Sequence, residues 1–347
     1  MSTVLVNEAY AGQRVTGQQR YALEIASRLR AHGGYRPVRP TGFWARSKVR
    51  AWLWVLLRLP LVRPGAPLLS LTARAPLWRR RHVLVVHDLF VLNHPEWFSR
   101  RYIWTHAPLL RIQLRRATAV IAVSRPVADE VERMRRTPVP VAPNAPSEIF
   151  REAGEELPAA VRGHDLTPGA YLLVVGSRDP RKNLARLAEA YGLLDAELRR
   201  RHPLVVVGGG NAIFRDTGTV WPEGTVDVGY VDDEELARLY RHARSVVFVS
   251  VAEGFGLPIV EAAAAGTRGV VVSDIAVFRW ICGDRARYVD PLSVGSIAEG
   301  LRAELTDGPR AAAPDADRFS WDDSAKVIDE MCRRVAGAND GGTAGRG

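Results

Sequence analysis

Cysteine is nearly absent: the chain has two, Cys282 and Cys332, which excludes a disulfide framework and a cysteine-based metal cluster. Lysine is almost as scarce, at three of the 48 basic residues, a compositional bias that carries no functional message of its own. No apolar window of about 18 residues runs uninterrupted by charge, so a membrane-spanning helix is excluded on length. The opening stretch from Met1 to Glu8 has neither the basic start nor the cleavage site of a signal peptide. The expectation is a protein of a reducing compartment, cytoplasmic, with any membrane contact peripheral. Apolar residues at 47% and charged residues at 25% exclude disorder, and 347 residues favour two domains over one.

Acid is missing from one long stretch. Between Ile25 and His87 there are 13 basic residues and no aspartate or glutamate. Residues 1–150 hold 24 basic and 8 acidic side chains, against 24 and 30 in the remainder, so a half at +16 precedes one at −6. Such asymmetry marks a half that meets something negative, whether phosphate, nucleic acid or an anionic bilayer. Arg46, Lys48, Arg50 and Arg58 are interleaved with Trp44, Trp52, Trp54 and a leucine run. A helix of that kind can lie in the headgroup plane, or it can pack its apolar face on the domain core. No nucleic-acid-binding signature accompanies it. The expected partner is an anionic membrane surface met through residues 43–81, and no nucleic acid.

Two strand–helix series follow one another. The first has strands over Thr3–Asn7, His82–Val86 and Ala117–Val123, with helices over Gln18–Arg30 and Tyr102–Arg116. The second has strands over Ala170–Val175, Pro203–Val207, Val226–Val228, Ser245–Val249 and Gly269–Val272. Helices over Asn183–Arg200, Asp233–His242, Leu257–Ala265 and Val294–Leu305 alternate with them. Apolar strands separated by helices mean parallel sheets covered on both faces. The expected fold class is α/β with two doubly wound, Rossmann-like domains, residues 1–150 and 165–318, facing a central cleft. Glu148–Gly169 reads as a linker, residues 319–336 as a C-terminal helix crossing back to the first domain, and 337–347 as a disordered tail. Ligands of such sheets sit in the loops just after strands.

The most constrained of those loops is Glu253-Gly254-Phe255-Gly256-Leu257-Pro258, with Glu261 about one helical turn further on. Its glycines let backbone approach a ligand, and Pro258 suits a first helical turn. The helix start near Leu257 offers free N–H groups to phosphate. Two carboxylates beside a phosphate would repel it unless they accept hydrogen bonds from sugar hydroxyls. Just past another strand, Arg181 and Lys182 stand where a helix begins, an unfavourable place for bases unless an anion is close. Displacing a nucleoside diphosphate needs cations of this kind on the leaving group. Gly208 to Asn211 is a glycine-rich strand end without the dinucleotide fingerprint. Asp315-Ala316-Asp317 spells a metal-binding triplet in a segment far from the other motifs, and no His or Cys spacing fits zinc.

With Glu253, seven residues and Glu261 enclosing Gly254 to Pro258, the sequence resembles the retaining glycosyltransferases of family 4, which have the GT-B fold. The segments Pro180-Arg181-Lys182-Asn183-Leu184, Gly229 to Tyr240, His87-Asp88 with Asn93 to Ser99, and Thr16 to Tyr21 match that family in the same order, the second to last being similar to its mannosyltransferase-like members. The resemblance implies a catalytic set of His87, Glu253, Arg181 and Lys182. It implies donor binding by Gly17, Gly176, Arg181, Lys182, Glu253, Phe255, Gly256, Leu257 and Glu261. Arg181 and Lys182 would bind the donor diphosphate, Glu253 the hexose and Glu261 the ribose. His87 would contact the sugar near its anomeric centre, with Asp88 orienting it. Gly17 would let the first domain close over the phosphates.

The reaction so implied moves a hexose, mannose from GDP-mannose first, from a nucleotide sugar to a glycan or lipid-linked glycan. The donor is a substrate, no cofactor is expected, and no metal ion is required. The alternatives are a UDP- or dTDP-sugar donor, or a non-catalytic anionic-membrane binder that keeps the fold. Loops depart from the family pattern at Asn144-Ala145-Pro146, Arg268 and Phe278-Arg279-Trp280.

Overall fold

A computed structural model of the chain describes residues 3–12, 16–164, 166–177, 179–208, 219–309 and 314–337. They divide into two compact units: residues 1–144 with 320–347, and residues 145–319.

The first unit is built on strands β1 (Val4–Asn7), β2 (Tyr35–Val38), β3 (Leu68–Ser70), β4 (His82–Val86) and β5 (Ala119–Ala122), in the order β2-β1-β3-β4-β5. All neighbours are parallel. β1, β3 and β4 are buried throughout, as sheets covered on both faces require. β2 and β3 were not anticipated. β2 is an edge strand with Pro37, which lacks the N–H a central strand needs.

Helix Gly17–Ala31 turns Tyr21, Ile25 and Leu29 inward. On it packs helix Trp321–Gly337, whose Asp322 accepts from Arg28 at 2.7 Å and whose Asp329 accepts from the Tyr35 hydroxyl at 2.6 Å. The Trp321 ring stands edge-on to Tyr21. Helix Arg100–Arg116 begins where the Ser99 hydroxyl accepts the Tyr102 N–H. Ser124 does the same for Val127 at the start of helix Arg125–Arg135, with a proline in the first turn.

The basic, tryptophan-rich segment has two faces. Trp54 and Val55, on helix Lys48–Leu57, are buried with Leu59 against Leu5 and Leu68, so part of its apolar side is ordinary core. Phe43, Val49, Leu57 and Leu61 are instead more than half exposed, beside exposed Arg46, Lys48 and Arg58. The turn that follows is closed by buried Arg79, whose guanidinium donates to the carbonyls of Pro60, Val62, Arg63 and Ala66.

The second unit has β6 (Leu172–Val175), β7 (Leu204–Val207), β8 (Thr225–Gly229), β9 (Ser245–Phe248), β10 (Val270–Ser273) and β11 (Arg287–Val289). Their order is β11-β10-β9-β6-β7-β8, again all parallel. This is the order of dinucleotide-binding sheets, and it reverses between β6 and β9. The long helix expected over Asn183–Arg200 is two helices, Leu184–Gly192 and Ala196–Arg201, with Asp195 between them.

The segment read as a linker carries helices Glu148–Arg151 and Ala159–Gly163. It falls within the second unit, and Phe150 is fully buried against Tyr240. An apolar residue inside a charged, proline-containing stretch hides that packing from a compositional reading. Gly209 to Asn211 and residues 338–347, part of the glycine-rich strand end and of the expected tail, lie outside the described residues.

Candidate active site

At the reversal point of the second sheet, two strand exits converge. The chain leaves β6 through Gly176 and Ser177 towards Asp179-Pro180-Arg181-Lys182, and leaves β9 through Ser250 towards Glu253. Buried Asp179 organises the first exit. Its Oδ1 accepts the Arg181 N–H at 3.0 Å and its Oδ2 the Ser177 hydroxyl at 3.1 Å. With Pro180 next, this is N-cap chemistry, and it opens the 3-10 turn Pro180–Lys182.

Asn183 ends the turn in the left-handed region at φ 61°, which asparagine tolerates better than most residues. Its Nδ2 donates to the carbonyls of Val249 at 3.0 Å and Pro291 at 2.7 Å. The Val251 N–H donates to the Arg181 carbonyl at 2.8 Å. The turn is thereby fastened to the end of β9. Asp179 and Asn183 were not among the predicted site residues; the Asp-Pro pair is the sequence signal that marks the first.

This fastening brings three of the predicted residues into contact. Lys182 Nζ lies 2.6 Å from Glu253 Oε1, and Arg181 Nη1 lies 2.6 Å from Oε2. Arg181 Nε is 3.3 Å from Asp179 Oδ2. The Lys182 stem runs over Gly176, where a Cβ would sit in ordinary contact at 3.5 Å. Burial pushes the Glu253 carboxyl up, but the charges of Arg181 and Lys182, with hydrogen bonds from Lys182 and Ser250, hold it down to about 2. The anion that two bases at this place demanded is therefore in the protein itself.

The glycines divide by what they serve. Gly208, leaving β7, has φ 138°, and a Cβ there would lie 2.0 Å from the Gly176 carbonyl oxygen. The exits of β6 and β7 thus touch backbone to backbone, a constraint the sequence reading did not assign. Gly256 is at φ 102°, and a Cβ would come within 3.0 Å of the Phe278 ring, so the fold needs this glycine whatever binds. The Phe255 ring is turned into the protein. It is buried edge-on to Trp280 and Phe319, and it holds the turn that starts helix Leu257–Ala264. Leu257 is half-buried at the start of that helix and Glu261 is buried further along it.

In the first unit, His87 is buried just past β4. Its Nε2 is 2.8 Å from the Leu71 carbonyl; a carbonyl only accepts, so Nε2 carries the proton and Nδ1 is the acceptor. Burial pushes its pKa down to about 4, against the pull of that hydrogen bond, and the imidazole is neutral at pH 7. The Leu71 carbonyl fixes one ring nitrogen of His87, and Asp88, next in the chain, accepts from the Phe90 N–H at 3.3 Å. Gly17 is exposed at a helix start, where a Cβ would meet none of the described residues within 4 Å.

Among the described residues, no group of three His, Cys, Asp or Glu could hold a metal ion. Asp315 and Asp317 serve locally: Asp315 accepts the Asp317 N–H at 3.0 Å, and Asp317 pairs with Arg151. No described helix is long and apolar enough to cross a membrane.

Residues 164–319 match the family model described as glycosyl transferases group 1. O-antigen chain mannosyltransferase B of Escherichia coli is 29% identical over 262 residues, 70% of this chain and 67% of that protein. The serotype-specific mannosyltransferase WbdA of the same organism is 28% identical over 277 residues, with the match spanning 33% of its length. Among solved structures, sucrose-phosphate synthase from Thermosynechococcus elongatus superposes with a TM-score of 0.73 at 18% identity, covering 98% of this chain and all of that one. HepE from Anabaena, in complex with UDP and glucose, superposes at 0.69 and 16% identity over 96% of this chain and all of that one. At these identities the structural likeness is one of fold. With two parallel-sheet α/β units, the chain has the GT-B glycosyltransferase fold, and its second unit carries a glycosyltransferase domain of the kind described as glycosyl transferases group 1.

Proposed function

We propose that this glycosyltransferase moves a hexose from a nucleotide sugar to a glycan or lipid-linked glycan, with mannose from GDP-mannose as the first donor. The observation that carries the reading is the Arg181–Lys182 pair at the reversal point of the group 1 domain, fastened between β6 and β9. The mannosyltransferase names of the related proteins support the sugar. Negative charge gathers on the diphosphate as it leaves, and two fixed cations stabilise that charge without a metal ion. Glu253 accepts from hexose hydroxyls, Glu261 from the ribose, and neutral His87 offers Nδ1 as an acceptor near the sugar. Retention follows if the bond from the anomeric carbon to phosphate breaks while the acceptor oxygen bonds on the same face. The acceptor proton then passes to the departing phosphate oxygen.

A thermal-shift series with GDP, UDP, dTDP and ADP and their sugar conjugates tests the donor. GDP and GDP-mannose are expected to raise the melting temperature most, and the anomer formed in a subsequent transfer assay reads the stereochemistry. A larger shift with UDP or dTDP moves the donor to that base; no shift with any of them removes the donor-site assignment.

The acceptor reading includes attachment to the cytoplasmic face of a membrane through residues 43–81. Its support is the acid-free charge of this stretch with Phe43, Val49, Leu57, Leu61 and Trp78 exposed. Anionic vesicles are expected to sediment the protein at low ionic strength, and neutral ones are not. Equal, poor binding to both kinds of vesicle ends that part of the reading.

A further inference from the structure

Glu253 occupies both cations that a diphosphate would use. Each of its carboxylate oxygens has its own partner at 2.6 Å, Lys182 on one side and Arg181 on the other. Its side chain and that of Lys182 are 9% and 11% exposed, so water screens the pair little. The second carboxylate at the turn, Asp179, faces Arg181 Nε. Among the described residues of this turn, two cations therefore stand against two carboxylates of the protein.

We propose that Glu253 is a built-in competitor of the diphosphate, and that it makes the site prefer the intact nucleotide sugar over the nucleoside diphosphate left after transfer. This rests on the reading of Arg181 and Lys182 as the diphosphate site. Phosphate oxygens that take the two cations strip Glu253 of its charged partners, leaving it the hydrogen bond from Ser250, while adding negative charge a few ångströms away. A carboxylate accepts hydrogen bonds and donates none, so it needs donors in exchange. The hexose is the part of a nucleotide sugar that carries hydroxyl donors beside its β-phosphate. The intact donor thus compensates Glu253, whereas the nucleoside diphosphate does not. Once the hexose has left, Glu253 takes the cations back and the product is expelled. Without it, product release would slow, a step that limits many well-evolved enzymes.

The sign of the expected effect is opposite to that of removing an ordinary binding residue. Glu253→Gln keeps the shape and removes the charge. By calorimetry at pH 7.5, GDP and UDP are expected to bind this variant about tenfold or more tightly than the wild type, from the Coulomb repulsion removed. GDP-mannose and UDP-glucose are expected to gain less, so the preference for the intact donor falls. Glu253→Asp retains the charge but is one methylene too short to span both cations, and an intermediate affinity is expected. This second variant also serves if the glutamine protein fails to fold. Binding of either nucleoside diphosphate to the wild type with unchanged or weaker binding in both variants, their melting curves intact, overturns the proposal and leaves the donor-site reading standing. Failure of both nucleotides to bind any of the three proteins overturns the donor-site reading and this proposal with it.

Discussion

Alanine in place of Lys182 is expected to lower kcat/KM for the nucleotide sugar by about 10²–10³-fold, the effect of losing one fixed donor to a developing oxyanion. Two losses coincide. The ammonium group that would neutralise the leaving diphosphate is gone, and Glu253 keeps its charge with Arg181 as its remaining cationic partner. Arg181 is then left facing both Asp179 and Glu253 where a polyanion must be received. Initial rates at varied donor concentration, with a melting curve to show that the fold survives, measure the effect. Because the lost contact strengthens as charge moves onto the diphosphate, kcat is expected to fall as well as donor affinity. A kcat/KM within about threefold of the wild type would take Lys182 out of the site.

Gly208→Ala is expected to destabilise the second unit by about 3–5 kcal/mol, in the upper range for a single substitution. Two costs are stacked at this position. A φ of 138° is one that residues with a Cβ rarely adopt, and that Cβ would stand 2.0 Å from the Gly176 carbonyl oxygen. The carbonyl has little room to yield, since the Gly176 N–H is bonded to Val207 at 3.0 Å and the Gly208 N–H to Gly229 at 2.8 Å. Relief would come from parting the ends of β6 and β7, which would also carry Lys182 away from Glu253. Urea titration followed by circular dichroism measures the loss, and Gly17→Ala is the control, since its Cβ meets none of the described residues within 4 Å. Equal midpoints for the two variants would show that the strand ends can part at little cost.

Much of this architecture is legible from periodicity. β4 and helix Asp233–His242 have the bounds that their apolar patterns predict, because long buried strands and amphipathic helices announce themselves through what they hide. Shorter elements escape. β3 is three residues long and β11 is an edge strand of three, too brief for any period to show. Helix Leu184–Gly192 and its successor share one apolar rhythm, and the break between them rests on Asp195 rather than on a change of pattern.

The candidate site divides in the same way. Residue type and order were enough to single out Arg181, Lys182, Glu253 and Glu261, because cations after one strand and spaced carboxylates after another are a chemical statement in themselves. The packing of Phe255 was not readable: an aromatic between two glycines looks the same in sequence whether its ring is exposed or stands against Trp280. Nor was the pairing of Glu253 with the two cations. These residues are more than 70 positions apart, and their contact exists because the sheet order places β6 beside β9 and Asn183 ties one exit to the other. The sequence alone determined which charges the site contains, since those are properties of single side chains. The tertiary structure decided which charges neutralise each other, because Coulomb energy depends on distances that chain position does not supply.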